Sequence, residues 1–149
     1  MDKLKRELTL RIILEKPTPG VDFGLQKGKG SGYETVQKQR SNGDDLRFEF
    51  TVALKPGRDA GVDFTAPFVQ GPASQRFVYI DIGTHAGQKN TPWSRRLKIP
   101  LSGITSKTID TLLRDSNLLL ETRVPGTGRD GGPNCATVKP FPGWSTAKR

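Results

Sequence analysis

The 149-residue sequence predicts a mainly β fold: an antiparallel β-sandwich or open β-barrel with one short α-helix. Three observations carry that expectation. Apolar and polar residues alternate in several short runs, as in DLRFEFTVAL, which is the period of a strand with one buried face. The chain holds 17 glycines and 11 prolines, a density that calls for many turns between short elements. Only GITSKTIDTLLRDS shows the spacing of an amphipathic helix.

Taken in order, ELTLRIILE places Leu8, Leu10, Ile12 and Leu14 on one face with Thr9 and Arg11 on the other, where Ile13 interrupts the polar side. Residues 24–46 read as a hairpin around KGKGSG, followed by a turn at Ser41-Asn42-Gly43, where Asn-Gly supplies a positive φ. DLRFEFTVAL turns Leu46, Phe48, Phe50, Val52 and Leu54 inward and Arg47, Glu49 and Thr51 outward. In QRFVYIDIGT, Phe77, Tyr79 and Asp81 share one face and Val78, Ile80 and Ile82 the other. Both faces are largely apolar, which predicts a central strand. SRRLKIPLSG sets Arg95, Leu97, Ile99 and Leu101 against Arg96 and Lys98. The helix begins at Thr105 or Ser106 as N-cap, carries an apolar stripe of Ile109, Leu112 and Leu113, and has Arg114 in its last turn. NLLLETRV and CATVK complete the strands. One β domain over residues 1–142 is expected, with 143–149 a frayed basic tail because Pro140 and Pro142 bar regular pairing.

A tetrapeptide, Gly-Val-Asp-Phe, occurs at residues 20–23 and again at 61–64. Each copy leads to a Gln and then a Gly, at Gln26 and Gly28 and at Gln70 and Gly71. A similar order of strands follows each copy, so an internal duplication with the two GVDF loops at equivalent places is expected. Asp22 and Asp63 then either cap their own turns or converge as a carboxylate pair.

The segments PGVDFGLQKG, RFVYIDIGTHAGQ and WSRRLKIPLSGIT resemble the signature segments of a family of small bacterial proteins known only as a domain of unknown function. The resemblance spans Glu7 to Thr105 and extends to GTGRDGGPNCA. It implies a bacterial single-domain protein and brings no activity, cofactor or catalytic residue.

Charge and composition narrow the function. The net charge of +9 invites a nucleic-acid partner, but Lys and Arg are spread along the chain. Local groups occur only at Lys3, Lys5 and Arg6, at Lys27, Lys29, Lys38 and Arg40, and at Arg95, Arg96 and Lys98. One cysteine, Cys135, allows no internal disulfide, and one histidine, His85, leaves a structural zinc site unsupported. No secretory leader or membrane span is read at the N-terminus, and a cytoplasmic location is expected. GTGRDG has dinucleotide-site spacing without the helix that must follow it, and KGKGS lacks the P-loop spacing, so no cofactor is expected.

The constellation that best suits a ligand is aromatic plus cationic: Tyr79 and Asp81 on one strand, then Trp93, Arg95 and Arg96 at the next, with Asp22 and Asp63 as further candidates. Arginine offers planar paired donors to carboxylate or phosphate, and an aromatic ring offers a stacking face. The competing reading is structural, with Arg96 or Lys98 neutralising Asp81 across the strands. The expected function is a non-catalytic binding or interaction module for a small anionic ligand or a protein partner. In the ligand reading Arg96 points outward and its removal leaves stability nearly unchanged. The alternatives are a weak nucleic-acid-binding β domain and a small hydrolase or isomerase using Asp81 and His85.

Overall fold

The computed structural model describes residues 7–29, 32–56, 62–65, 68–71, 75–83, 93–101, 103–125, 136–137 and 141–149. Within them lie β1 (Glu7–Glu15), β2 (Asp22–Lys29), β3 (Gly32–Arg40), β4 (Leu46–Pro56), β5 (Val62–Thr65), β6 (Phe77–Gly83), β7 (Trp93–Pro100), α1 (Ser106–Arg114), β8 (Leu118–Pro125), β9 (Ala136–Thr137) and β10 (Ser145–Lys148). The first sheet runs β10-β8-β1-β4-β5 and the second β3-β2-β6-β7-β9. Pairing is antiparallel except for β1 with β8 and β7 with β9. The result is a two-sheet sandwich without barrel closure, and β6 sits at the centre of the second sheet.

The alternation read from the sequence sets the core. Leu8, Leu10, Ile12 and Leu14 of β1 and Phe48, Phe50 and Val52 of β4 meet Phe23 and Leu25 of β2, Val78, Ile80 and Ile82 of β6, and Leu97 and Ile99 of β7 in one buried cluster. A strand whose alternate residues are large and apolar buries one face and leaves the other for polar groups. Ile13, on the polar side of β1, is also buried, with Arg47 and Arg123 as its cross-strand neighbours. Ile109 and Leu112 of α1 join the cluster, so the helix packs against the sandwich through these two, while Leu113, the third residue of the expected stripe, is exposed. Thr105 is its N-cap, its Oγ1 accepting from the Thr108 N–H at 3.2 Å.

Four expectations are corrected. The GVDF copies are not loops: Asp22 and Phe23 open β2, and Val62 to Phe64 lie in β5. Nor are they equivalent. Phe23 is on an inner strand of the second sheet, opposite Gln39 and Ile82, whereas Phe64 is on the edge of the first, opposite Leu54. β2 pairs with the strand that follows it and β5 does not, so the two copies have different topologies and the duplication fails. The C-terminal segment is not frayed. After Pro142, Ser145 to Lys148 pair with β8, and the Arg149 guanidinium donates to Ser116 O at 2.6 Å and Thr9 Oγ1 at 3.0 Å. The prolines precede the strand and do not obstruct it.

The turn at Ser41-Asn42-Gly43, with Gly43 at φ 102°, carries the chain from the second sheet to the first and is a corner, not a hairpin. Ser41 is buried there, its Oγ donating to Pro17 O at 3.2 Å and accepting from the Gly43 N–H at 3.1 Å. β3 is an edge strand with a register shift opposite Leu25 and Gln26. Its Gln37 and Gln39 side chains donate to the β4 carbonyls of Glu49 at 2.9 Å and Arg47 at 2.6 Å. Side-chain amides thus bond β4 carbonyls along the seam between the sheets, a device that blunts an exposed edge. At another seam, the Trp144 indole N–H donates to Pro100 O at 2.9 Å and Thr122 Oγ1 to Gly143 O at 2.8 Å.

Candidate functional site

The outer face of the second sheet collects most of the candidate residues, and register places them. On β6, Val78, Ile80 and Ile82 are core residues, so Phe77, Tyr79 and Asp81 face outward. On β7, Leu97 and Ile99 are core, so Arg96 and Lys98 face outward beside them. On β2 the outward residues are Asp22, Gly24 and Gln26, and their β3 partners are Arg40, Lys38 and Thr35. One row therefore crosses four strands: Lys38, Gly24, Asp81, Arg96.

Two carboxylates on this face are buried and each is clasped by an arginine directly across from it. Arg96 Nε and Nη2 donate to Asp81 at 2.6 and 3.2 Å, and Arg40 Nε and Nη2 donate to Asp22 at 2.9 and 3.4 Å. The Asp81 side chain is 4% exposed and that of Asp22 2%, against 27% for Arg96 and 50% for Arg40. The carboxylates are thus desolvated while their partners still reach water, the paired geometry that makes a charge-assisted contact strong. The hydrogen bond to Asp22 raises the pKa of Arg40 above its ordinary value, so its charge is fixed. The turn-capping expectation for Asp22 gives way to this cross-strand pairing, because β2 has already begun at that residue.

Beside the clasp lies a ladder of rings and cations. The Arg96 guanidinium sits over the Tyr79 ring at 4.7 Å and the Lys98 ammonium over Phe77 at 4.3 Å, while the two rings are 4.8 Å apart and tilted by 55°. Register sets Lys98 opposite Tyr79 and Arg96 opposite Asp81, so each cation leans one pair along the ladder to reach its ring. Gln26, also buried, donates to Thr35 Oγ1 at 2.7 Å. Gly28 lies so close to Gln70 that an added Cβ would be 3.1 Å from its Oε1. The two Gln-Gly segments do meet, although not through symmetry.

The structure brings together Tyr79, Asp81 and Arg96, with Asp22 on the neighbouring strand. It separates Asp63, which pairs with Lys55 at the edge of the other sheet, so Asp22 and Asp63 do not converge. Trp93 and Arg95 are on β7 opposite Gly83 and Ile82, and their side chains lie outside the described residues, as does that of Asp63. His85 and Cys135 lie wholly outside them. Arg96 does face outward, but it is engaged by Asp81, so its removal would leave a buried carboxylate without its guanidinium. Sequence reading placed Phe77 on this face with Tyr79 and Asp81 but missed Arg40, Lys38 and Gly24 as members of it. Their signal was the alternation on β2 and β3, obscured by the register shift between them.

The outer face of the first sheet differs in charge. There Arg11 bonds Glu121 at 2.6 Å and Glu49 at 3.3 Å, and Arg123 lies 3.6 Å from Glu15. Among the described side chains, its strands turn Glu7, Glu15, Glu49 and Glu121 outward with Arg11, Arg47 and Arg123, four minus against three plus. The second sheet turns out Asp22 and Asp81 with Arg40, Lys38, Arg96 and Lys98, two minus against four plus, among the described side chains. Among the described outward strand side chains, the net positive charge is on the second sheet.

Residues 8–147 match the family model described as a family of unknown function, DUF5990. The chain belongs to this family. The DUF5990 match takes in both sheets and the helix, from within β1 to within β10. No curated protein and no solved structure matches the chain. Among the described residues no helix is long and apolar enough to cross a membrane.

Proposed function

We propose that this DUF5990 protein is a non-catalytic binding module of the bacterial cytoplasm that engages an anionic ligand or the acidic surface of a partner across the outer face of its second sheet. The observation that carries this reading is the charge asymmetry between the two faces. One is self-neutralised by Arg11, Glu49 and Glu121, while the other buries its carboxylates under arginines and leaves Lys38 and Lys98 in excess. Buried and paired, Asp22 and Asp81 shape the face without repelling an anion. Their engagement with Arg40 and Arg96 also speaks for a structural role over acid or base chemistry.

A thermal-shift screen of inorganic phosphate, citrate and simple dicarboxylates tests this on the wild type and on Lys98→Ala. Binding to the folded state at a hundredfold excess over Kd adds about 2.7 kcal/mol of stability. At least one anion is expected to raise the wild-type Tm, and the rise is expected to shrink in Lys98→Ala. No shift by any anion, together with no binding of an acidic polymer, sinks the proposal.

A further inference from the structure

We draw no further inference here: the strongest candidate, the pair of cations Lys38 and Lys98 on the outer face of the second sheet, belongs to the site already described, and nothing in the structure shows what covers that face.

Discussion

Arg96→Ala is expected to destabilise the protein substantially, because Asp81 would remain buried without its partner. Removing one member of a buried ion pair costs about 3–5 kcal/mol. Arg96 keeps 27% of its side chain exposed, so water already screens part of the interaction. Reducing the figure in that proportion leaves about 2–3.5 kcal/mol, including the cation-π contact with Tyr79. The unfolding entropy of about 2.1 cal/mol/K per residue gives roughly 0.31 kcal/mol/K for 149 residues. The corresponding fall in Tm is about 6–11 °C.

Urea unfolding followed by circular dichroism, run as a cycle with Asp81→Asn and the double variant, separates the pair from the loss of Arg96 packing. Groups that bond directly show coupling of about 0.5–3 kcal/mol, and a value above about 1 kcal/mol is expected here. The double variant should recover part of the loss, since the amide no longer carries an unpaired charge. An Arg96→Ala protein within about 0.5 kcal/mol of wild type, or an additive cycle, refutes the claim that the clasp holds β6 to β7.

Arg40→Ala should lower Tm by less than Arg96→Ala, because Arg40 is half exposed over Asp22, and differential scanning calorimetry on both orders them. Trp144→Phe keeps the ring and loses the indole N–H bonded to Pro100 O, so a loss of about 1 kcal/mol in urea is expected. Gly71→Ala forces a Cβ to 2.6 Å from both Gln75 O and the Phe77 ring at a φ of 86°, and about 2–4 kcal/mol of destabilisation is expected by thermal unfolding. Replacing Gln37 and Gln39 by Leu removes the donors over the β4 carbonyls and makes an apolar edge. Light scattering after size exclusion should then show concentration-dependent self-association that the wild type lacks.

The fold was legible wherever alternation was unbroken. β4 and β6 could be assigned inward and outward residue by residue, and their buried sets, Phe48, Phe50 and Val52 with Val78, Ile80 and Ile82, are those that form the core. Pairing between distant strands was not legible. That β1 lies parallel to β8, across more than a hundred residues, depends on the sandwich closing around both, and no local pattern encodes it. The GVDF repeat misled for the same reason. Four identical residues fix a local preference for extended backbone, while the strand on either side decides whether Phe23 sits within a sheet or Phe64 at an edge. The C-terminal strand was lost because proline bars pairing only at its own position, and Ser145 to Lys148 lie beyond it.

The two clasps show where sequence reading of the site reached its limit. Asp81 and Arg96 were readable as a pair, because consecutive strands with outward Tyr79-x-Asp81 and Arg96-x-Lys98 meet in only a few registers. Asp22 and Arg40 are also neighbours on consecutive strands, but the register shift at Leu25 and Gln26 moves every partner beyond it by one residue. Without the shift, Asp22 would face a different β3 residue and a buried carboxylate would stand without its guanidinium. The irregularity in the edge strand is therefore what lets one face of the sheet neutralise both buried carboxylates. That neutralisation in turn leaves Lys38 and Lys98 as the charges an anion would meet.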